Sequence, residues 1–369
     1  MANVAFTSPA YAGGMPTRFL VCPPHDASPS ESRPGPRSDC HRAGSDARRQ
    51  WDRFVETLRC AGDVTLVEVE PDENRPELVF TANAALVCGK LAIVSSVRHP
   101  EGHRDRSTLR SALARAGLAT TSLCQTSFEG AGDALFDRVR PLCYAGYGWR
   151  TERNATLQLQ EIVGCRVLPL LLVDERFFRL DRALCPLESG HVLAYMAAFS
   201  ASAQAQLRRA IEPGYLIEVG TDDALALACN AAEVGDVLVL HSASRRLRRR
   251  LHDAGYRVFC TELDEFIRAG GSAKDLTLRL DDGPAGTMLD RPWEKSPWLP
   301  SPGPGICGVR GAGCGDSPAA FAALTDETPE ALRISVWDQE ARDRRLAGSG
   351  FRQARTAEHG QQPGCAPSS

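Results

Sequence analysis

Residues 78–96 read LVFTANAALVCGKLAIVSS and contain two apolar runs of strand length. A helical pattern follows, with apolar residues at positions i, i+3, i+4 and i+7: Leu109, Ala112, Leu113 and Ala116. Gly117 comes directly after this pattern, where a glycine in the left-handed conformation commonly ends a helix. The stretch therefore predicts short strands followed by an amphipathic helix that a glycine closes.

The same unit recurs along the chain. Helix-like segments with one apolar face also begin at Trp51, Ala155, Ala203 and Leu247, and the glycines that close the five segments are Gly62, Gly117, Gly164, Gly214 and Gly255, 41 to 55 residues apart. Each period contains about three short strands and one helix. Such a period indicates five similar blades around an axis or a doubly wound α/β sheet with strand doublets. We favour the five blades, because simple βα alternation needs only one strand per helix.

Composition excludes several classes of protein. The 369 residues include 43 Lys+Arg and 46 Asp+Glu, a net charge of −3, whereas nucleic-acid and membrane-surface proteins carry a basic excess. No apolar run approaches the ~18 residues of a membrane-spanning helix, and no secretory signal pattern is recognisable at the N-terminus. The 13 cysteines are scattered, odd in number and without CxxC pairs, which indicates reduced thiols. We therefore expect a cytoplasmic protein with no nucleic-acid or membrane partner.

Two segments do not have the pattern of folded sequence. Residues 26–49 are polar and lack periodicity, which predicts a mobile loop. In residues 283–369, 12 Gly and 10 Pro make up about a quarter of the positions, near the level of low-complexity sequence. We expect an N-terminal tail over 1–16, one folded domain over 17–281 and a mostly disordered tail over 282–369.

Two short segments carry polar residues suited to binding. FEGAGD (128–133) sets two carboxylates among small residues, so that Glu129 and Asp133 could bind a cation. On this hexapeptide alone, a glycine-rich turn with solvated acids is the favoured interpretation. GYGWRT (146–151) places Arg150 at the start of a predicted helix, where an anion such as a carboxylate could bind.

Taken together, the chain resembles the guanidine-modifying enzymes of the pentein fold, and most of all dimethylarginine dimethylaminohydrolase-like members and amidinotransferases. The segments that carry the resemblance, in order along residues 17–281, are ELVFTANAALV (77–87), RHPE (98–101), FEGAGDAL (128–135), GYGWRT (146–151), LVDERFFRLDRALCPL (172–187), ALACNAAEVGDVLVL (226–240) and GGSAKDLTLRL (270–280). The resemblance implies an α/β propeller of five ββαβ modules with pseudo-fivefold symmetry, which agrees with the five-period pattern.

The resemblance also implies a site for an arginine-like guanidino compound, with no metal and no organic cofactor. The positions that match guanidinium-binding residues hold Glu77, Asn83, Glu129 and Asp133. The positions that match the arginines clamping the substrate carboxylate hold Arg98 and Arg150. A planar guanidinium suits bidentate acids, so this half of the site is chemically coherent. The resemblance gives Glu129 a part in catalysis as well, and it leaves a homodimer open.

The catalytic pair implied by the resemblance is replaced in this chain. Active members attack the guanidinium carbon with a cysteine thiolate, and a histidine serves as general acid and base. The nucleophile position here holds Asp275, and the histidine position, in Phe177-Phe178-Arg179-Leu180-Asp181, holds Arg179. We expect Arg179 and Asp275 to face each other as an ion pair.

Three functions remain open from the sequence. The first is a catalytically degenerate homologue of the hydrolases that convert arginine or dimethylarginine to citrulline, which keeps an arginine-like binding site. The second is an active guanidino-group hydrolase or amidinotransferase with displaced catalytic residues, for which His99 and His103 are candidate bases and Cys185 and Cys229 the weaker candidates for a thiol. The third is a decayed gene product.

Overall fold

The computed structural model describes residues 16–25, 44–96 and 107–285. They all belong to one compact unit. Arg98, His99, His103, most of the predicted loop and residues 286–369 of the predicted tail lie outside the described residues.

Within these residues the strands form five three-stranded sheets. The strands are β1 (Thr17–Val21), β2 (Val64–Glu68), β3 (Ala85–Cys88), β4 (Leu91–Val94), β5 (Ala119–Ser122), β6 (Ala134–Phe136), β7 (Leu142–Tyr147), β8 (Arg166–Leu171), β9 (Leu184–Pro186), β10 (Val192–Ala194), β11 (Leu216–Glu218), β12 (Ala232–Val234), β13 (Val237–Leu240), β14 (Arg257–Cys260) and β15 (Leu278–Arg279). The helices are α1 (Gly44–Ala61), α2 (Ser107–Arg115), α3 (Arg153–Val163), α4 (Ala201–Ala210), α5 (Thr221–Leu225), α6 (Arg245–Asp253) and α7 (Asp264–Arg268).

All five sheets have the same topology. In each one an outer strand pairs antiparallel with the middle strand, and a helix then crosses over to a third strand that pairs parallel with the middle one. Four sheets use consecutive strands, whereas the fifth has the order β15-β1-β2, with Leu20 opposite Leu278. The five blades predicted from the period, and the ββαβ modules that the resemblance implies, are thus confirmed.

The five long helices lie where the apolar periodicity predicts them. Each helix has a buried apolar face, in which Phe54, Leu113, Leu159, Leu207 and Leu251 are completely inaccessible to solvent. Helix α1, however, begins at Gly44, so the prediction of a loop up to residue 49 is wrong for its last six residues. Ion pairs between Arg48 and Asp52 and between Arg49 and Asp46 support this polar first part of the helix.

The closing glycines serve different purposes. Gly117 (φ +88°) and Gly164 (φ +67°) have the left-handed conformation that the prediction requires. Gly62 does not; a Cβ there would lie 3.0 Å from the side chain of Val234, so its small size matters instead. Gly214 lies beyond the end of α4, whose capping residue is Ile211.

The run LVFTANAALV (78–87) is only partly a strand. Two 3₁₀ turns, Pro76–Val79 and Thr81–Ala84, precede β3. The backbone N–H groups of this run bond within the turns or to a distant segment, since Ala82 N–H donates to the Asp275 carbonyl at 3.1 Å. Equivalent 3₁₀ turns, Gly130–Gly132 and Leu180–Arg182, precede β6 and β9. The turn Gly130–Gly132 contacts the other two, so three of the segments that carry the family resemblance meet at one place.

No helix in the described part of the chain is long and apolar enough to cross a membrane.

Candidate functional site

The turn Gly130–Gly132 holds Glu129 and Asp133 at its two ends. A Cβ at Gly132 would lie 2.5 Å from Asn83 Oδ1, and a Cβ at Gly130 would lie 2.9 Å from the backbone nitrogen of Ala85. Only glycine therefore allows this turn to pack so closely on the neighbouring turn that carries Asn83. The glycines of FEGAGD thus serve close approach, and the acids beside them are buried rather than solvated: Glu129 is 8% exposed and Asp133 is 1% exposed.

Asp133 links its own turn by hydrogen bonds to two other segments of the site, those of Thr151 and Leu180. The Thr151 hydroxyl donates to Asp133 Oδ2 at 2.6 Å, and the Leu180 N–H donates to Oδ1 at 2.9 Å. Burial, followed by the nearby Glu129, raises the pKa of Asp133 to about 7, although these two hydrogen bonds work in the opposite direction. Asp133 orients the segment that begins at Leu180, directly after Arg179.

Glu129 lies between two arginines. Its Oε1 is 3.9 Å from Arg179 Nη1, and its Oε2 is 4.0 Å from Arg150 Nε. Neither distance is a hydrogen bond, and within the described part of the chain Glu129 Oε2 and Asn83 Oδ1 are buried acceptors without a hydrogen-bond partner. Two acceptors of this kind leave unused capacity for a ligand with several N–H donors.

Arg179 and Asp275 face each other, as the sequence predicts. Arg179 Nη2 lies 2.5 Å from Asp275 Oδ1, and the two side chains are 5% and 0% exposed. The second oxygen of Asp275 accepts the Ser272 N–H at 3.1 Å, so both carboxylate oxygens are engaged. Burial works to lower the pKa of Arg179, but the carboxylates around it, with Asp275 first, outweigh burial and raise that pKa.

Asp181 is a member of the site that the sequence reasoning did not select. It is fully buried, with Oδ1 3.4 Å from Arg179 Nε and Oδ2 3.9 Å from Lys274 Nζ. Burial and then Asp275 raise its pKa to about 8. The sequence could have identified Asp181 by its place two residues after Arg179, in the motif Phe177-Phe178-Arg179-Leu180-Asp181.

A half-buried aromatic ring, that of Phe178, gathers three guanidinium groups. The Cζ atoms of Arg182, Arg150 and Arg179 lie 4.0, 5.1 and 5.5 Å from the ring centroid. Burial, and then the charge of Arg179, lower the pKa of Arg182 to about 10. Phe178 and Arg182 were also missed, since neither residue type identifies a role of this kind from sequence alone.

The other selected residues are less closely associated with this cluster. Glu77 is exposed, in the first of the two 3₁₀ turns before β3, so its role as a ligand stays a prediction. Arg98 is outside the described residues. Cys185 and Cys229 are buried, and burial raises the pKa of Cys185 to about 12 and that of Cys229 well above its usual value, which keeps both as thiols at neutral pH. In the described ranges no cluster of three or more His, Cys, Asp and Glu has an arrangement that could hold a metal ion.

Five ββαβ modules define a pentein. In three of them the inner turns, Thr81–Ala84, Gly130–Gly132 and Leu180–Arg182, bring carboxylates and arginines together, as in the guanidine-modifying class. Residues 33–279 match the protein family described as "N,N dimethylarginine dimethylhydrolase, eukaryotic". The chain belongs to this dimethylarginine dimethylaminohydrolase family and is a homologue of guanidino-group hydrolases.

Individual relatives support the assignment. The bifunctional arginine dihydrolase/ornithine cyclodeaminase ArgZ of Synechocystis sp. is 37% identical over 268 residues, which are 72% of this chain and 38% of ArgZ. The chain thus matches about two fifths of that protein. The N(G),N(G)-dimethylarginine dimethylaminohydrolase of Mycobacterium tuberculosis is 34% identical over 235 residues, 63% of this chain and 76% of that protein.

Solved structures agree with the fold. The crystal structure of the N-terminal domain of an ArgZ mutant bound to substrate superposes with a TM-score of 0.66 at 37% identity, covering 73% of this chain and 99% of that domain. A dimethylarginine dimethylaminohydrolase variant in an adduct with S-methyl-L-thiocitrulline gives a TM-score of 0.57 at 20% identity over 72% of this chain and 100% of that one, a likeness of fold alone.

Proposed function

We propose that this chain is a catalytically degenerate guanidino-group hydrolase homologue that binds an arginine-like compound without converting it. The observation that carries the proposal is the buried ion pair between Arg179 and Asp275. These two residues stand at the positions where the family resemblance calls for the general base and the nucleophile.

The pair is chemically unsuited to the reaction. Covalent hydrolysis needs a thiolate to form a bond to the guanidinium carbon and an imidazole to pass a proton to the departing amine. A guanidinium with a raised pKa has no free lone pair to accept a proton at neutral pH. Asp275 is inaccessible to solvent, and both of its oxygens are already engaged. Loss of nucleophile and base costs on the order of a million-fold in rate in a hydrolytic triad.

The binding half supports an arginine-like ligand. The acceptors Asn83 Oδ1 and Glu129 Oε2, which have no hydrogen-bond partner among the described residues, suit a guanidinium, which has up to five N–H donors in one plane. Arg150, with a third of its side chain exposed, is available to a carboxylate. L-Arginine and dimethylarginine carry both groups, and relatives crystallised with substrate or L-arginine include ArgZ and AgrE.

The test is a comparison of turnover and binding. We would measure citrulline and amine release from L-arginine and dimethylarginine by the full chain, and by the double variant Arg179→His, Asp275→Cys. Calorimetric titration of both compounds into each protein measures binding independently of turnover. We expect binding without turnover by the unmodified chain, and citrulline release by the double variant.

The contrary outcomes are equally informative. Turnover by the unmodified chain would overturn the proposal that the chain is catalytically degenerate. It would favour an active enzyme with displaced catalytic residues, for which His99 and His103 are the first candidate bases. Absence of binding to the unmodified chain, with no turnover by either protein, would overturn the proposed binding function and favour a decayed product.

A further inference from the structure

The guanidinium of Arg179 is surrounded by carboxylates, the groups that would also bind the guanidinium of a ligand. Each of its three nitrogens faces a different carboxylate: Nη2 lies 2.5 Å from Asp275, Nε 3.4 Å from Asp181 and Nη1 3.9 Å from Glu129. Nη2 also lies 3.4 Å from the Gly270 carbonyl oxygen. These three carboxylates, which we term the carboxylate cradle, come from three separate parts of the chain and converge on one planar cation.

The cradle leaves little room for a second guanidinium beside the first. A Cβ at Gly132 would lie 3.2 Å from Arg179 Cδ, and one at Gly271 would lie 2.8 Å from Asp275 Oδ2. Phe178 covers Arg179 from another side, with its ring centroid 5.5 Å from Cζ. A second cation at Glu129 and Asp275 would also be repelled by the positive charge of Arg179, and repulsion is strong in a site from which water is excluded.

The charges show why the cradle needs a cation. Asp181 is a buried acid of the cradle whose pKa is raised to about 8 by burial and by Asp275 even with Arg179 in place. Without a guanidinium, Asp275, Asp181 and Glu129 would form a buried acidic cluster, with Lys274 3.9 Å from Asp181 and Arg150 4.0 Å from Glu129 as the remaining ion-pair partners among the described residues. A site of this kind binds a replacement cation of matching shape because it relieves the repulsion between the acids.

We infer that the Arg179 side chain is the resident ligand of the carboxylate cradle. An external guanidino compound must displace Arg179 from the cradle, so the unmodified chain binds such a compound more weakly than a chain without Arg179. The arginine-like nature of that compound rests on the proposed function, whereas the occupancy of the cradle by Arg179 does not. The substitution at the histidine position therefore does more than remove a base: it makes the binding site self-occupied.

Guanidinium ion is the probe for this inference. Arg179→Ala empties the cradle, and Arg182→Ala is the matched control, since Arg182 is also buried beside Phe178 and Gly270 but makes no ion pair with Asp275. Guanidinium chloride would be titrated up to about 20 mM, far below denaturing concentrations, against sodium chloride of equal ionic strength. Calorimetry gives Kd, and the thermal midpoint gives a second readout.

We expect guanidinium to bind the Arg179→Ala chain at least about tenfold more tightly than the unmodified or Arg182→Ala chain, and to raise the thermal midpoint of that variant alone. Equal affinity for all three proteins, or no binding to Arg179→Ala, would overturn the inference. If Arg179→Ala does not fold, Arg179→Gln shortens the side chain and removes its charge; a guanidinium-dependent rise in its thermal midpoint is then expected, and its absence is contrary.

Titration with L-arginine separates this inference from the proposed function. If Arg179→Ala binds guanidinium but neither it nor the unmodified chain binds L-arginine, the cradle is self-occupied and the proposed ligand class is wrong. If the unmodified chain and Arg179→Ala bind L-arginine equally well, the ligand class is supported and the self-occupied cradle is wrong.

Discussion

At the scale of single residues, the site is a balance of buried charges. The buried Arg179 lies among Asp275, Asp181 and Glu129, and the nearest of the three, Asp275 Oδ1, is 2.5 Å from Arg179 Nη2. Taking such charges out of water costs free energy that their mutual attraction only partly returns, so the pair does not by itself imply added stability. Its consequence is specific geometry: each carboxylate is held on a different nitrogen of one guanidinium.

The raised pKa of Asp133 should make the stability of the folded chain depend on pH. Its pKa is raised from 3.8 to about 7, so between these values the folded chain holds a proton that the unfolded chain has released. The contribution of Asp133 to the free energy of unfolding therefore falls as the pH rises from about 4 to 7, and stays at its low value above that.

In Asp133→Asn we expect the free energy of unfolding to decrease less between about pH 4 and 7 than in the unmodified chain. The difference is a few kcal/mol, on the order of 1.4 kcal/mol for each pKa unit. Urea unfolding at a series of pH values between 4 and 8 measures it. Asp253→Asn is the control, because that carboxylate is 70% exposed. A pH profile of Asp133→Asn that coincides with that of the unmodified chain would contradict the assignment.

The residue scale is also where sequence reasoning reached its limit. The facing of Arg179 and Asp275 could be predicted because both stood at recognisable positions, although they are 96 residues apart. The sequence did not identify three further residues as members of the site: Asp181, Phe178 and Arg182. Their importance comes from burial and from the convergence of three turns, which local spacing does not encode.

At the scale of secondary-structure elements, the inner turns decide the site. Each of the turns Thr81–Ala84, Gly130–Gly132 and Leu180–Arg182 directly precedes the first strand of a module. The apolar pattern of residues 78–87 resembled a strand because Leu78 and Val79 are indeed buried. Burial in a 3₁₀ turn and burial in a short strand produce similar patterns, so periodicity cannot separate them.

Glycine substitutions test the inner turns against the helix ends. In Gly132→Ala the new Cβ would meet Asn83 Oδ1 at 2.5 Å, so the two turns must separate. At Gly164 (φ +67°) a Cβ meets nothing within 4 Å, and the expected penalty is only that of the left-handed backbone, about 1 kcal/mol.

We expect Gly132→Ala to abolish arginine binding and to destabilise the chain more than Gly164→Ala, which should keep the binding affinity of the unmodified chain. Calorimetric titration and urea unfolding of both variants provide the measurement. Unchanged binding by Gly132→Ala would show that the close approach of the turns is not needed.

At the scale of the whole molecule, five repeats of one module could be predicted from helical periodicity and strand-length runs alone. The periodicity could not show that one module is assembled from both ends of the domain. Strand β15 pairs antiparallel with β1, and Leu278 and Leu280 are each only 2% exposed. The pairing depends on which strand lies beside which, and this is a property of the closed ring rather than of any segment.

This closure predicts how the chain responds to shortening. A chain that ends at residue 275 lacks β15 and leaves the edge of β1 and the apolar residues around Leu20 uncovered, so we expect it to aggregate or unfold. A chain that ends at residue 285 keeps every described strand, and we expect its thermal midpoint to equal that of the full chain. Scanning calorimetry of the two shortened chains decides the matter, and a stable fold for the shorter one would show that β15 is dispensable.

The sheet β15-β1-β2 has a consequence for how the protein is made. The ribosome synthesises β15 more than 250 residues after β1. The sheet that contains both strands therefore cannot be completed until the other four modules have been synthesised. At about 5–20 residues per second, that interval lasts on the order of ten seconds to a minute. During synthesis the ring of described modules therefore stays open at this one sheet until β15, the last of the described strands, has left the ribosome and pairs with β1.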